Sequence, residues 1–284
     1  MAEPRITIVT VAYNSADVLP SMLESVPSGA PVIIVDNASR DREALRALAA
    51  RYANVTLIEN AENEGFGRAC NIGAAAAHTE FVMFLNPDTT CLDDTLDALT
   101  TAADAHPDAP AFNPLIVDDA WRAHLKRRSD LDPRAGTLAK GDPGGDVALP
   151  VLSGAALMVR RDIFERIGGF DPAIFLFFED DDLSVRLAKH GPLMLAHSAI
   201  VRHFGGTSSS PSRVGERIKN WHWGWSQVYA VRKHRGPGAC ARPIAKALLR
   251  AASPATLLSG VRRRKYGARL TGMWAALRMR DAKM

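Results

Sequence analysis

Four short apolar runs punctuate the first 85 residues of this chain: ITIVTV (6–11), VIIV (32–35), VTLIEN (55–60) and FVMFL (81–85). The stretches between them have helical spacing. Val18, Leu19, Met22, Leu23 and Val26 follow the first run, with Ser15 or Asp17 placed to cap the helix. Leu45, Leu48 and Tyr52 follow the second, and the Ala-rich NEGFGRACNIGAAAAH (63–78) the third. A strand without a polar face is covered on both sides, and strands that alternate with helices pair in parallel, so the pattern predicts a parallel sheet flanked by helices. Ligands in such sheets bind beyond the carboxyl ends of the strands. Three polar loops, 10–14, 36–41 and 86–90, are placed at that edge.

The chain continues with a helix expected around 92–105 and a strand near 111–117. Residues 118–146 are rich in Gly, Pro and charge and read as a long surface loop, a candidate mobile segment. Order resumes in VLSGAALMVRRDIFERIGGFDPAIFLFFEDDDLSVRLAKHG (151–191), with a short helix near 162–167, a Gly-Gly turn and a second helix starting in the acidic cluster. An apolar run from 193 to 204 leads into RHFGGTSSS. From residue 212 the character changes: 18 basic and 29 acidic residues precede it, whereas 17 basic and 2 acidic follow. The body is acidic and the tail basic, with Trp221, Trp223 and Trp225 at the start of the tail. Basic amphipathic segments with tryptophan lie on anionic membrane surfaces, but they also serve as solvated helices or oligomer contacts.

Several classes are disfavoured. Cys70, Cys91 and Cys240 form no C-x-x-C pair, which argues against a disulfide framework or a zinc site and for a reducing cytoplasm. MAEPRITIVT does not have the layout of a secretory leader, and no apolar run approaches the roughly 18 residues needed to span a bilayer. A cytoplasmic protein is expected.

Candidate chemistry sits in three places. Asp88 ends a buried strand within Asn86-Pro87-Asp88-Thr89, where a hard carboxylate could hold a divalent cation against phosphates; the same residues also make an ordinary Asn-Pro turn. Glu179, Asp180, Asp181 and Asp182 suit the first turn of a helix, yet they follow the apolar IFLFF (174–178), which would set a carboxylate beside a partly desolvated pocket, where a general base is useful. His203 stands at a strand end before Gly-Gly; a lone histidine is usually structural, but a neutral imidazole there can also ligate a metal or touch a phosphate.

The ordered set VTVAYNS, VIIVDNASRD, NEGFGRACNIG, FLNPDT, GAALMVRRDIFERIGGFD, FFEDDDL and RHFGGTS resembles glycosyltransferase family 2, in particular its rhamnosyltransferase-like branch, over residues 5–210. That resemblance implies a GT-A fold, with residues 1–117 as the nucleotide-sugar half and 118–211 as the acceptor and catalytic half, followed by a basic amphipathic helical extension over 212–284. It implies inverting transfer of a sugar, such as rhamnose, from a nucleotide-diphosphate donor to a glycan or lipid-linked acceptor in cell-surface polysaccharide synthesis. Thr10, Ala12, Tyr13 and Asn14 match the first nucleotide-contacting loop, Asp36 the carboxylate on the base or ribose, and Gly65 and Asn71 the motif lining the nucleotide pocket. Asp88 matches the last acid of the D-x-D signature that holds Mg²⁺ or Mn²⁺, and His203 the histidine that assists there. Asn86 stands where the first acid is usual; it keeps a carbonyl contact but removes a charge from the metal site. Asp180 matches the catalytic base, with Asp182 second. A lipid-linked acceptor would place the protein on the inner face of the cytoplasmic membrane, with 212–284 toward the anionic surface. The rivals are an inactive nucleotide-sugar sensor and a nucleic-acid-binding module acting through the tail; the latter leaves the ordered motifs of the acidic body unexplained, so no nucleic acid is expected. A nucleotidyltransferase would need a Gly-rich basic N-terminal loop, which VTVAYNS lacks.

Overall fold

In the computed structural model, residues 3–204 and 213–278 are described; residues 205–208 of the last motif lie outside them. A mixed α/β sheet, with nine strands among the described residues, runs in the order β3-β2-β1-β4-β8-β6-β9-β5, with β7 also on β9. The strands are β1 Ile6–Ala12, β2 Val32–Asp36, β3 Val55–Glu59, β4 Phe81–Leu85, β5 Thr89–Cys91, β6 Ala111–Val117, β7 Val147–Ala148, β8 Ala156–Arg160 and β9 Leu193–His203. The helices are α1 Leu19–Glu24, α2 Arg42–Ala49, α3 Phe66–Ala75, α4 Thr95–Ala105, α5 Arg161–Arg166, α6 Glu179–Leu187, α7 Arg213–Arg235, α8 Ala241–Ala251, α9 Pro254–Leu257 and α10 Gly260–Leu277.

β1 to β4 are the apolar runs of the sequence, and they pair in parallel. β8, like the shorter β5 and β7, has no counterpart among the expected strands; it lies antiparallel between β4 and β6. Alternate residues of each central strand feed two cores. Ile8, Ile34 and Met83 face one, with Leu19, Leu45 and Leu99 of α1, α2 and α4. Val9, Val35 and Phe84 face the other, with Ala69, Phe164 and Leu183 of α3, α5 and α6. Each large side chain so buried contributes roughly 1.5–3 kcal/mol. α3 lies close on the sheet because it carries small residues: a Cβ on Gly73 would come within 2.4 Å of Val9 Cγ1. The entry to α1 departs from the expected side-chain cap. Ser15 uses its carbonyl, which accepts from Val18 and Leu19 N–H, while its hydroxyl accepts from Tyr13 N–H.

Residues 118–146 hold little regular structure, a 3-10 turn at Pro133–Ala135 and two isolated bridges, but they are not a free loop. Leu131 is buried in a third core with the C-terminal helices, and Leu125 and Leu138 pack on the second. The C-terminal helices are likewise integral to the fold. Trp221 and Trp225, four residues apart on one face of α7, are buried in this third core with Val228, Val231 and Met273, and Trp223 lies under the Arg269 guanidinium, 3.9 Å from its ring centre. This corrects the reading of the three tryptophans as a membrane belt: their helical spacing serves a core stripe. α7 and α10 touch backbone to backbone, since a Cβ on Gly224 would lie 2.1 Å from Arg269 O and one on Gly272 2.0 Å from Trp221 O. No helix of the described residues is long and apolar enough to cross a membrane.

Candidate active site

The parallel register puts Ala12 beside Asp36, so the loops after β1 and β2 leave the sheet together and are tied to one another. Asn14 N–H donates to Ser39 Oγ (2.9 Å), Arg40 N–H to Asn14 Oδ1 (2.8 Å) and Ala16 N–H to Asp41 Oδ2 (2.9 Å). Asn14 takes φ 54°, a left-handed conformation that Asn tolerates. Tyr13 is left 44% exposed at this edge, and Thr10 is buried with its hydroxyl unpaired among the described residues. Asp36 is fully buried: Oδ1 accepts from Ser39 N–H (2.9 Å) and Oδ2 from Arg42 Nε (3.0 Å). Its carboxylate is thus committed to shaping the loop and orienting Arg42.

Asn37, which sequence reading passed over, knits the next loop. Its Nδ2 donates to Asn63 Oδ1 and to Gly65 O, and its Oδ1 accepts from Asn60 Nδ2 and Glu64 N–H. Gly65 (φ 83°) opens α3 where Phe175 passes so closely that a Cβ would lie 2.4 Å from its carbonyl oxygen. Asn71 clasps the backbone of Phe170 at both ends, Nδ2 to its carbonyl (2.9 Å) and Oδ1 from its N–H (2.8 Å). Both motif residues therefore anchor the 168–175 segment.

At the end of β4, Thr89 Oγ1 donates to Asn86 O (2.6 Å) and closes the N-P-D-T turn. β5 then pairs antiparallel with β9, setting Thr89 opposite His203. The result joins residues 115 positions apart in sequence, with His203 Nε2 3.3 Å from Asp88 Oδ1. Asp88 is buried and His203 partly exposed. Two ligands at about 2.1 Å from one cation and at right angles are about 3 Å apart, so this oxygen and nitrogen are spaced as neighbouring ligands of a Mg²⁺-sized ion. Among the described residues no cluster of three or more His, Cys, Asp or Glu could hold a metal unaided. The pair could thus hold an ion only if its other ligands came from a bound ligand or water.

The acidic cluster opens α6. Phe177 and Phe178 both take left-handed conformations (φ 66° and 67°), costly for bulky residues, and they turn the chain sharply into the helix. The C-terminal helices hold that turn: Phe175 stacks on His222, Phe178 packs edge-on to Trp223, and Ser226 Oγ donates to Leu176 O. Asp180 Oδ2 accepts from Gly154 N–H (2.8 Å) and from Lys126 Nζ (2.7 Å), and Oδ1 from Asp181 N–H (2.9 Å). Lys126 also donates to Asp181 Oδ2 (2.8 Å). Burial pushes Asp180 up, but the Lys126 charge and hydrogen bonds outweigh it, so its carboxyl is held below the ordinary range. Burial and the Asp180 charge push Glu179 and Asp181 up. One ionised carboxylate thus sits between two that retain protons more readily. Asp182, the second candidate base, faces elsewhere. It is closed to solvent, with Arg186 Nε 2.8 Å from Oδ2, and Lys233 Nζ (2.6 Å) and His234 Nε2 (2.7 Å) against Oδ1.

Backbone contacts join the two ends of the site. Asn86 N–H donates to Ala155 O (2.9 Å), and the preceding residue, Gly154, donates to Asp180. Asn113 fixes this crossing, its Nδ2 donating to Ser153 O and Ala156 O and its Oδ1 accepting from Ser153 N–H. The N-P-D-T turn and the Asp180 carboxylate are therefore neighbours at one sheet edge. Lys126, Gly154 and Asn113 had no local sequence signal, since their partners lie 26 to 55 positions away.

Residues 7–168 match the model of a family described as "Glycosyl transferase family 2". An N-acetylglucosaminyl-diphospho-decaprenol L-rhamnosyltransferase of Mycobacterium tuberculosis is 31% identical over 230 residues, 69% of this chain and 75% of that protein. Rhamnosyltransferase WbbL of Escherichia coli is 27% identical over 65% of this chain and 77% of its own length. Among solved structures, GalNAc-T7 with UDP, GalNAc and Mn²⁺ superposes with a TM-score of 0.61 at 15% identity, covering 97% of this chain and 56% of that one.

Proposed function

Because this chain belongs to glycosyl transferase family 2 and has the GT-A fold, we propose that it moves a sugar, a deoxyhexose such as rhamnose, from a nucleotide-diphosphate donor to a glycan or lipid-linked acceptor in cell-surface polysaccharide synthesis, at the inner face of the cytoplasmic membrane. The observation that carries this reading is the contact of the N-P-D-T turn with Ala155 one residue from the hydrogen bond that orients Asp180. It brings the Asp88 turn and the Asp180 carboxylate to one sheet edge, which supports assigning them to the diphosphate side and to the proton of one transfer. The likeness to two rhamnosyltransferases supports the choice of sugar.

The donor would lie over the loops after β1 and β2, with exposed Tyr13 and the Thr10–Asn14 backbone against the nucleotide and Arg42, aimed by Asp36, beside it. Gly65 and Asn71 shape that pocket through the segment they anchor. Asp88 and His203 would hold Mg²⁺ or Mn²⁺, while the neutral Asn86 amide, standing where the family's first acid would add a second carboxylate, would serve ribose or water-mediated contacts. Such an ion, when bound, offsets charge on the leaving diphosphate. The acceptor oxygen attacks the anomeric carbon from the face opposite the diphosphate, through an oxocarbenium-like transition state. The new C–O bond forms as the bond to diphosphate breaks, so configuration inverts, and the hydroxyl proton passes to Asp180. An ionised carboxylate accepts about four hydrogen bonds. Three are filled by Lys126, Gly154 and Asp181, which leaves one place, on Oδ1, for the acceptor hydroxyl.

Screening nucleotide sugars by thermal shift with Mn²⁺ tests the reading. The cognate donor at roughly a hundredfold above its Kd should raise Tm by about 5 °C or more, and the protein should consume it when acceptor is added. In Asp88→Asn the Mn²⁺-dependent part of the shift should disappear, giving the value that wild type shows with a chelator. No shift and no turnover with any nucleotide sugar would end the proposal.

Lys126 gives a further expectation. It keeps Asp180 ionised beside two other carboxyls, so Lys126→Met should raise the pKa of the base. A base works only when deprotonated, so the acid limb of the kcat profile should move to higher pH. Turnover should fall roughly tenfold at pH 6 and recover toward wild type at alkaline pH, with Lys126→Arg intermediate. An unchanged profile would show that Lys126 is only structural.

A further inference from the structure

The C-terminal helices carry more apolar surface than the fold uses. α8 meets the rest of the protein through Ile244 and Ala247, yet the next two residues, Leu248 and Leu249, point away and are 53% and 75% exposed. α9 and the start of α10 continue the pattern: Leu257 and Leu258 are 57% and 89% exposed, and Val261 is 65% exposed. Five of the exposed large aliphatic side chains thus fall within residues 248–261. The turn that displays them is well built. Pro254 begins α9, Ser259 Oγ caps α10 by accepting from Arg262 N–H, and Arg263 donates to Leu257 O. Thr256, between the leucines, is buried, so the tip is a shaped projection whose outward residues are the aliphatic ones. Around it Lys246, Arg250, Arg262, Arg263, Arg264 and Lys265 are all exposed, and residues 241–277 contain no Asp or Glu.

From this geometry we propose that the tip at 248–261 is a membrane-docking element. Leu248, Leu249, Leu257, Leu258 and Val261 enter the headgroup region of an anionic bilayer, and the flanking cations contact lipid phosphates. An aliphatic centre ringed by cations and free of carboxylates matches an apolar layer beneath an anionic surface. A second copy of the same face would bring like charges together. Single-stranded nucleic acid would stack on aromatic side chains, which the aliphatic tip does not offer. The proposal refines the membrane-side placement stated above and rests on it, but it is independent of the sugar, the donor and Asp180.

Co-sedimentation of the full chain with vesicles tests it. Vesicles containing about 30 mol% phosphatidylglycerol should bind the protein at least tenfold more tightly than phosphatidylcholine alone, and high salt should weaken that binding. Leu257→Glu/Leu258→Glu should reduce binding tenfold or more at unchanged Tm, because both positions are exposed. Arg262→Gln/Arg263→Gln/Arg264→Gln should remove the lipid-charge dependence. If the leucine variant binds vesicles as wild type does, or if wild type ignores them and its exposed leucines instead support a dimer in gel filtration, the proposal is wrong. Transfer to a soluble acceptor analogue should be the same in wild type and both variants, so loss of docking is separable from failure of the transferase reading.

Discussion

Asp180→Asn should lower kcat for sugar transfer by about 10³-fold while the donor-induced thermal shift stays within error of wild type. A well-placed general base contributes roughly 10²–10⁴-fold, and the amide keeps the shape of the side chain but offers no basic oxygen. The variant should fold, because an amide oxygen can still accept from Gly154 N–H and Lys126. Separate measurement of kcat and donor Kd decides the matter. A variant that turns over at the wild-type rate would remove Asp180 from the chemistry, and one that loses donor binding as well would make it a binding residue. Asp181→Asn, whose carboxyl already shares Lys126, should cost far less.

Asp182→Asn should do the reverse, leaving the chemistry of folded molecules intact and costing about 3 kcal/mol of stability. The native carboxylate has no exposed side-chain surface; it is paired with Arg186 and Lys233 and lies in hydrogen-bond contact with His234. Removing one member of a buried ion cluster strands the others and costs roughly 3–5 kcal/mol, less where partners reach solvent, as Lys233 does here. The His234 hydrogen bond and the Arg186 and Lys233 charges more than offset burial and hold the Asp182 carboxyl well below the usual range. A carboxyl depressed in the folded state stabilises the protein above its unfolded pKa of about 3.9, and that stability is lost as pH falls toward the folded value. Urea titrations should therefore show a full gap between wild type and variant at pH 7 that narrows below about pH 4. An equal midpoint at pH 7 would refute the cluster's role.

How far the fold was legible follows from where its determinants lie. β1, β2, β4 and β6 announced themselves because a strand buried on both faces is largely apolar, a local property; β3, at the sheet edge, is only partly buried despite its apolar start. β8 escaped because Gly154, Ala155 and Ala156 interrupt the run that precedes it, although Leu157, Met158 and Val159 are fully buried. The convergence of the polar loops followed from strand direction alone. What a carboxylate does at that edge depended on distant partners. Asp180 and Asp182 are two positions apart in one helix, and sequence treated them as rivals. Their difference comes from Lys126 on one side and from Lys233 and His234 on the other, more than 50 positions away in each direction. The tryptophans of α7 carried a usable signal: Trp221, Trp225 and Val228 recur at the interval of a buried stripe, which outweighs their basic surroundings.

The paired left-handed conformations of Phe177 and Phe178 have a consequence in time. Such a turn persists only where its surroundings enforce it, and here the enforcing contacts come from Trp223, His222 and Ser226, which are synthesised some 45 residues later. Chains grow from the N-terminus at about 5–20 residues per second, so a nascent molecule completes its sheet, and packs Leu183 of α6 against it, before the contacts that hold the turn into α6 exist. Competence for transfer should then arrive last and all at once. Under the proposed mechanism, a half-made protein whose α7 has not docked would have its donor-side loops in place while the turn that leads into the proposed base is still unfixed.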